Sequence, residues 1–254
     1  MINNVGLIGV GRFGKVLANI LKKGFHVKAY DIVPSKISGD LEKCELEEIL
    51  KLEHIFIAVP IRYFEPLIKE VSKKINHPST IIDVCSVKKH TSEIMLKHLP
   101  KDIGIISSHP MFGPDSFNSN VKLKMMINKT RVEQNIFKYW KQFFTNQNIK
   151  VIEMTPDEHD KIAARTQGVT HLLGRTLKSF GINKTNIDTK GFRDLIDLVD
   201  QTCNDTWDLY SDLQLYNPYT STMLNDLKSS LKNIEDKSAV ASPTFNLDFI
   251  FLIL

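Results

Sequence analysis

Short apolar runs separated by amphipathic stretches fill the first 154 positions of this sequence. Where apolar residues recur three and four positions apart, as in 15–23 and 132–144, the pattern predicts helices. Runs rich in isoleucine, valine and phenylalanine predict buried strands at 5–8, 25–30, 55–60, 80–84, 103–106, 122–127 and 149–153. Buried strands that alternate with helices are typical of a parallel sheet covered by helices, so this part of the chain is predicted to have an α/β fold.

The pattern changes at Thr155-Pro156-Asp157-Glu158. Threonine is a good helix N-cap, proline suits the first helical position, and a glutamate three residues after the cap completes a capping box. Helical spacing continues from there to about residue 236 without another strand pattern. We therefore predict an α/β domain at 1–154 and an all-helical domain at 155–236, followed by an apolar tail at 237–254 whose role the pattern does not indicate.

The composition is that of an ordinary globular protein, with 42% hydrophobic and 24% charged residues among 254. The net charge of +4 is distributed as isolated lysine doublets rather than as a basic stripe, which argues against nucleic-acid binding. The apolar segment 245–254 is far shorter than the ~20 residues that span a bilayer, so no membrane association is expected. Three cysteines without metal or redox spacing, and an N-terminal strand in place of a signal peptide, predict a cytoplasmic protein without a metal site.

A glycine-rich turn, Gly9-Val10-Gly11-Arg12-Phe13-Gly14, joins the first strand to the first helix. This context is that of a dinucleotide site: the first glycine permits a tight turn, the second lets the backbone approach a pyrophosphate, and the third lets helix and strand pack closely. The N-terminus of the helix then presents unpaired N–H groups to the phosphates. The sequence therefore predicts a Rossmann-type dinucleotide-binding domain.

Asp31 closes the second strand, 22 positions after Gly9. A carboxylate there accepts hydrogen bonds from the adenosine ribose hydroxyls and repels a 2′-phosphate, which favours NAD over NADP. Lys36 lies close enough in sequence to keep NADP open as the alternative. Val59 and Pro60 end a further strand, where they either pack against the adenosine or ribose or only terminate the strand.

Ser86 and His109 follow successive predicted strands, at the carboxyl ends where ligands bind in open parallel sheets. Two prolines and a glycine fix the backbone just after His109, at the start of the predicted loop. A neutral imidazole held there is placed to take a proton from a substrate hydroxyl. Two structural alternatives stay open: His109 only caps its strand, or Ser86 is the N-cap of the helix that follows.

The helix predicted from 156 to 180 carries Gln167, His171 and Arg175 four residues apart, and therefore on one face. Small residues among them, including Gly174, permit the close approach of a ligand or of another helix. Because a glycine inside a helix costs ~1 kcal/mol relative to alanine, packing must compensate. This polar stripe is predicted to contact the substrate, with a solvated helix face as the alternative.

Three motifs carry a resemblance to a known family. They are Gly9 to Gly14, Asp83-Val84-Cys85-Ser86-Val87-Lys88 and His109-Pro110-Met111-Phe112-Gly113-Pro114-Asp115-Ser116. With them the chain resembles the prephenate/arogenate dehydrogenase family of tyrosine biosynthesis, and the motif at His109 is not a general feature of dinucleotide-binding folds. Further runs resemble the plant-type arogenate dehydrogenases and their bacterial relatives, so that the likeness covers about residues 5 to 235: Glu158-His159-Asp160, Thr170-His171, Gly174-Arg175, Asp188-Thr189-Lys190-Gly191-Phe192 and Asp205-Thr206-Trp207-Asp208-Leu209-Tyr210.

The resemblance implies oxidative decarboxylation of arogenate or prephenate with hydride transfer to NAD. It implies that His109 hydrogen-bonds the ring hydroxyl of the substrate. It also implies that Ser86 supports that histidine and the nicotinamide. It also implies that His171 and Arg175 line the substrate cleft, with Arg175 holding a substrate carboxylate. The expected partners are then a small-molecule substrate and, through the helical domain, a second copy of the chain in a homodimer.

Two further residues have alternative interpretations. Arg193 is a second candidate for the carboxylate-binding arginine, since some relatives carry that arginine in the helix after Gly191. A carboxylate at Asp205 that faces the substrate side chain would favour the ammonium of arogenate over prephenate. Alternatively, Asp205 caps the next helix.

Two other functional classes share a dinucleotide-binding domain. A β-hydroxyacid or imine reductase would need a catalytic lysine or aspartate on the helical domain, and it leaves the His109 motif unexplained. A non-catalytic NAD-binding regulator would bind the dinucleotide without turnover. Both alternatives are retained because a fold does not by itself determine a function.

Overall fold

A computed structural model describes residues 2–117 and 122–241 of the chain. The described chain divides after His159 into two compact units. The boundary predicted between 154 and 155 lies near this division, and the extent of the functional domains stays a prediction. Of the tail predicted at 237–254, residues 237–241 belong to the last helix, and residues 242–254 lie outside the described part.

The first unit is built on a single eight-stranded sheet, which contains the seven predicted strands and a short strand, Glu42–Lys43, that the pattern did not predict. The strands are β1 (Asn4–Ile8), β2 (His26–Tyr30), β3 (Glu42–Lys43), β4 (His54–Ile57), β5 (Thr80–Asp83), β6 (Gly104–Pro110), β7 (Lys124–Arg131) and β8 (Lys150–Glu153). Their order in the sheet is β3-β2-β1-β4-β5-β6-β7-β8. All neighbouring pairs are parallel except β6 and β7. The strand order reverses at β1, and such a switch point is where open α/β sheets bind ligands at the carboxyl ends of the strands.

The helices of this unit connect the strands and cover the sheet. They are α1 (Arg12–Leu21), α2 (Leu46–Ile49), α3 (Phe64–Lys74), α4 (Lys89–His98), α5 (Pro114–Phe117) and α6 (Gln134–Asn146). The core beneath α6 is aromatic, because the fully buried ring of Trp140 lies 4.8 Å from that of Phe56 in β4 and 5.2 Å from that of Phe25. Apolar residues on one face of each helix thus hold the sheet and its carboxyl edge in place.

The strand that carries His109 is longer than the sequence predicts. Up to Ser107, which pairs with Asp83, β6 runs parallel to β5. On its other side β6 pairs antiparallel with β7 from Ile105 to Pro110, with His109 opposite Met126 and Pro110 opposite Met125. The expectation that His109 starts a loop is therefore wrong. The backbone of His109 stays extended and hydrogen-bonded because β7, which follows the motif in the chain, pairs with this part of β6.

The described part of the second unit consists of helices, as predicted. A continuous helical stretch, whose first residues belong to the first unit, comprises α7 (Pro156–Ala163), the π-helical segment Ala164–Gly168 and α8 (Val169–Phe180). It is followed by α9 (Lys190–Cys203), α10 (Trp207–Tyr216) and α11 (Thr220–Ala241). The predicted capping box is present at the start of α7. The backbone N–H of Thr155 donates to Oε2 of Glu158 (2.8 Å), and the backbone N–H of Glu158 donates to Oγ1 of Thr155 (3.2 Å).

Gly174 lies where α8 packs closely against α9. A Cβ atom at this position would lie 1.9 Å from Oγ1 of Thr202 in α9. The small residue therefore accommodates another helix, which decides between the two explanations that the sequence left open for it. Among the described residues, the structure has no helix with the length and apolar character needed to cross a membrane.

Candidate active site

The glycine turn after β1 has the shape that its sequence predicts. Gly9 has a φ of +97°, a conformation that favours glycine, and a Cβ there would lie 2.5 Å from the carbonyl oxygen of Ala58. A Cβ at Gly14 would lie 2.1 Å from the carbonyl oxygen of Gly9. Both predicted steric roles are confirmed, since neither the tight turn nor the close packing of α1 leaves room for a side chain.

Gly11 differs from its two neighbours because a Cβ there would meet no atom within 4 Å. Gly11 is the N-cap of α1, and it provides no side-chain cap to the first turn of that helix. The N–H groups at a helix start have no partner within the helix, and together they form a site for an anion. The open space in front of Gly11 therefore fits the pyrophosphate of a dinucleotide.

The carboxylate of Asp31, the residue after β2, stabilises this turn through hydrogen bonds to backbone N–H groups. The backbone N–H of Val10 donates to Oδ2 of Asp31 (2.7 Å), and the backbone N–H of Val33 donates to Oδ1 (2.9 Å). Nζ of Lys36 lies 3.8 Å from Oδ1, and Asp31 is buried. Asp31 thus has a structural task that the sequence did not indicate, while its contact with the ribose stays a prediction.

The remaining predicted cofactor residues flank the turn. Val59 lies beside it, because its Cγ1 would be 3.1 Å from a Cβ at Gly9, and Pro60 is exposed just beyond it. Arg12 is exposed at the start of α1. The ring of Phe13 lies 6.0 Å from that of Phe112, which joins the glycine turn to the motif that begins at His109.

Ser86 lies in the loop between β5 and α4, at the carboxyl edge of the sheet. Its hydroxyl is buried and makes no hydrogen bond within residues 2–117 and 122–241. Ser86 is therefore not hydrogen-bonded to His109, and its support of that histidine and of the nicotinamide stays a prediction. The alternative that Ser86 is a helix N-cap is wrong, since α4 begins at Lys89 and Lys88 is its N-cap.

His109 has a partner that the sequence analysis missed. Its Nδ1 lies 2.9 Å from Nε2 of His159, and the two rings meet edge to face at 77°. Both side chains are buried, with exposed fractions of 4% and 3%. The signal in the sequence was weak: His159 belongs to the run Glu158-His159-Asp160, which contributed to the resemblance without a role of its own.

The surroundings of His109 keep its imidazole neutral. Burial lowers the pKa of His109 well below 6.5, and the positive charges of His159, when protonated, and of Lys88 lower it further. A neutral imidazole has one nitrogen that donates and one that accepts a hydrogen bond. His109 is therefore equipped to accept a proton over the physiological pH range.

The polar stripe of the second unit is not a solvated helix face. Gln167, His171 and Arg175 are each partly buried. Each has a buried polar atom without a hydrogen-bond partner in the described chain, namely Oε1 of Gln167, Nδ1 of His171 and Nε of Arg175. Buried polar groups are almost always paired, so three unpaired ones along one face indicate a place for a polar ligand.

Arg175 is held firmly by the segment between α9 and α10. Its Nη2 donates to the carbonyl oxygens of Asp205 (2.6 Å) and Thr206 (3.3 Å). Its guanidinium carbon lies 5.2 Å from the ring centre of Trp207 and 5.1 Å from that of Tyr210, which are cation–π distances. The guanidinium is thus fixed in place with its buried Nε–H unpaired.

Asp205 interacts with both Arg175 and His171. Its backbone carbonyl accepts the hydrogen bond from Arg175, and its carboxylate acts electrostatically on His171. Burial lowers the pKa of His171, and the carboxylate of Asp205 opposes that shift. The alternative that Asp205 caps the next helix is wrong, because Thr206 is the N-cap of α10 and its Oγ1 accepts from the N–H of Leu209 (3.2 Å). Arg193, the second candidate arginine, is exposed and donates from Nη1 to the carbonyl of Asp188 (2.8 Å).

Two family models match the chain. The model described as prephenate dehydrogenase, nucleotide-binding domain, matches residues 27–152, which include Ser86 and His109. The model described as TYRAAT1-like, C-terminal domain, matches residues 176–238, which include α9 and α10. The two matches lie on either side of the division between the units.

Curated proteins similar to this chain include two arogenate dehydrogenases of Arabidopsis thaliana. The chain is 32% identical over 169 residues to arogenate dehydrogenase 2, chloroplastic, which covers 64% of this chain and 47% of the relative. It is 29% identical over 247 residues to arogenate dehydrogenase 1, chloroplastic, which covers 91% of this chain and 38% of the relative. The chain thus spans less than half the length of these two relatives.

A solved structure shares the fold. Prephenate dehydrogenase from A. aeolicus, in complex with hydroxyphenyl propionate and NAD+, superposes with a TM-score of 0.77 at 18% identity, and the match covers 100% of this chain and 96% of that one. The family model includes Ser86 and His109, and it agrees with the resemblance that the motifs at these two residues carry. Residues 27–152 thus match the nucleotide-binding domain of the prephenate dehydrogenases, and most of the chain is similar to arogenate dehydrogenases.

Proposed function

We propose that the protein catalyses the oxidative decarboxylation of arogenate, or of prephenate, with hydride transfer to NAD in tyrosine biosynthesis. The observation that carries the proposal is the buried, neutral His109, which lies at the carboxyl edge of the sheet and is hydrogen-bonded through Nδ1 to His159. Support comes from the arogenate dehydrogenases among the relatives and from the NAD+ complex of the A. aeolicus enzyme.

His109 acts as the general base in this proposal. When its Nδ1–H donates to Nε2 of His159, the lone pair of its own Nε2 is free to accept the proton of the substrate hydroxyl. The bound dinucleotide supplies the chemistry of accepting a hydride from the carbon that bears this hydroxyl. The ring carboxylate leaves as carbon dioxide because the ring becomes aromatic. Ser86 offers an unpaired buried hydroxyl to the nicotinamide.

We assign the polar end of the substrate to the stripe on the second unit. Arg175 presents a buried Nε–H that suits a substrate carboxylate, with the exposed Arg193 as the second candidate. Gln167 and His171 offer unpaired buried atoms to the same ligand. The Asp205 carboxylate favours the ammonium of arogenate over the keto acid of prephenate.

The dinucleotide is NAD rather than NADP in this proposal. The glycine turn of residues 9–14, with Arg12, Phe13 and the nearby Val59 and Pro60, forms the binding surface. The Asp31 carboxylate carries its negative charge beside this turn, where it repels a 2′-phosphate. Lys36, with Nζ 3.8 Å from Oδ1 of Asp31, offsets that charge only in part.

Assembly and location complete the proposal. The described part of the second unit exposes large apolar side chains, including Phe180 (69%), Ile187 (90%) and Leu215 (78%), which supports a homodimer formed through its helices. All three cysteines are free thiols, which supports a reducing compartment and a cytoplasmic protein.

Steady-state rates with arogenate and prephenate, each with NAD and with NADP, test the proposal. We expect turnover with arogenate and NAD, and His109→Asn should lower kcat by ~10²–10⁴ while NADH still binds, since a general base contributes about that much. Binding of NADH without turnover of either substrate would identify a regulator instead. Turnover of a β-hydroxyacid or imine alone would identify the other dehydrogenase class.

A further inference from the structure

Asp83 and Lys88 form a charged pair that the proposed mechanism leaves without a role. Both side chains are completely buried, and Lys88 is among the largest buried side chains of the described chain. Oδ2 of Asp83 forms an ion pair with Nζ of Lys88 and accepts from Oγ1 of Thr91 (2.7 Å). Oδ1 of Asp83 accepts from the backbone N–H of Cys85 (2.7 Å). One carboxylate thus holds the loop that carries Ser86 at both of its ends.

The same aspartate is linked to the strand that carries His109. Oγ of Ser108, the residue before His109, donates to the carbonyl oxygen of Asp83 (2.7 Å). The backbones of Asp83 and Ser107 are paired in the β5–β6 ladder. Asp83 therefore touches both of the segments that present the proposed catalytic side chains.

Stability alone is a weak explanation for such a pair. Two opposite charges lose their hydration on burial, and this loss offsets most of their mutual attraction. Lys88 also acts on His109: the groups whose charges lower the pKa of His109 are His159 and Lys88, in addition to burial. Asp83 in turn is bonded directly to Lys88.

We propose that the buried Asp83–Lys88 ion pair is a positioning device, which fixes the Ser86 loop relative to the His109 strand for hydride and proton transfer. The inference rests on the proposed dehydrogenase activity, in which His109 receives the hydroxyl proton. Asp83 and Lys88 are positioning residues, since they act through Ser86 and His109. Substrate and dinucleotide should therefore bind almost normally when the pair is removed.

The double variant Asp83→Asn/Lys88→Met tests this role without leaving an unpaired buried charge. Its matched control is Lys22→Met/Asp40→Asn, which removes a lysine–aspartate ion pair (2.6 Å) at the surface. We expect kcat of the Asp83/Lys88 variant to fall at least about tenfold, because small displacements of reacting groups are costly. We expect KM and the NADH Kd to stay within about twofold, as they do when an interaction acts only in the transition state.

The pH profile separates positioning from a merely structural role. Without the charge of Lys88 the pKa of His109 rises, so the acidic limb of kcat/KM should move to a higher pH. Titration of the His109 imidazole by ¹⁵N NMR measures the same shift without substrate. It therefore tests the ion pair even if neither arogenate nor prephenate turns over, an outcome that would refute the proposed function alone.

A folded Asp83/Lys88 variant with the kcat, acidic limb and His109 titration of the wild type would overturn the inference. If that variant does not fold, Thr91→Val removes one hydrogen bond from Oδ2 of Asp83 and leaves both charges in place. We then expect a lower kcat, an unchanged KM and an unchanged acidic limb. A wild-type kcat in Thr91→Val would also overturn the inference.

Discussion

Nδ1 of His109 and Nε2 of His159 lie 2.9 Å apart in a buried pair, 50 positions apart in the sequence. The pairing orients the His109 ring and couples its tautomer to that of His159. Only when the proton between the two rings belongs to His109 does its other nitrogen keep a lone pair for the substrate. His159 is thus the residue that decides whether His109 acts as a base or as a donor.

Replacement of His159 tests that relationship. We expect His159→Phe to lower kcat by about 10–100-fold, less than the loss of the base itself, because the ring of His109 is no longer held in one tautomer. His159→Asn should retain more activity, since its amide oxygen still accepts from Nδ1–H of His109. Stopped-flow and steady-state rates at saturating substrate measure the difference. Equal kcat values for His159→Phe and the wild type would show that His159 does not orient His109.

Gly11 and Gly14, both in the glycine turn of the dinucleotide site, should respond differently to replacement by alanine. Gly11→Ala adds a methyl group to empty space at a φ of −70°, so Tm should stay within about 2 °C while NADH binding weakens at least about tenfold. Gly14→Ala places a Cβ 2.1 Å from the carbonyl of Gly9 and should destabilise the fold by about 1–3 kcal/mol. Thermal unfolding and fluorescence titration with NADH measure the two effects. If Gly11→Ala binds NADH as tightly as the wild type does, the pyrophosphate does not bind in front of Gly11.

Asp205→Asn tests the choice between the two substrates. The change removes the carboxylate and keeps the backbone carbonyl that accepts from Arg175. We expect the ratio of kcat/KM for prephenate to that for arogenate to rise roughly tenfold, which corresponds to about 1.4 kcal/mol. Asp208→Asn, in the first turn of α10, is the control. An unchanged ratio would mean that Asp205 does not discriminate between the substrates.

His54 should make the stability of the first unit depend on pH. Burial lowers the pKa of His54 from 6.5 to about 4, and its Nδ1 accepts from Nε1 of Trp140 (3.2 Å). Because the unfolded chain takes up this proton at a higher pH than the folded chain, stability falls as the pH drops from 6.5 towards 4. The shift corresponds to at most about 3 kcal/mol.

Urea unfolding at pH 7 and pH 5 measures this dependence. His54→Gln, which still offers an acceptor to Trp140, should unfold with less dependence on pH over this interval. The control is His77→Gln, because His77 is an exposed histidine of the same unit. A pH dependence in His54→Gln equal to that of the wild type would assign the effect to other groups.

The sequence by itself determined most of the helices and strands and the conformation of the glycine turn. Strands and helices follow from local periodicity, and the steric need for Gly9 and Gly14 follows from a turn that is complete within six residues. The motif at His109 also identified the family, since it is contiguous along the chain. These features depend on residues that are close together in the sequence, so the sequence pattern is sufficient to predict them.

The tertiary structure decided which side chains meet. The antiparallel pairing of β6 with β7 made His109 part of a strand, α7 supplied His159 as its partner, and Asp83 was found bonded to Lys88, Thr91 and Ser108. In the second unit, unpaired buried atoms ruled out a solvated stripe, and Thr206 took the capping role considered for Asp205. These outcomes depend on burial and on contacts between distant residues, which exist only once the chain has folded.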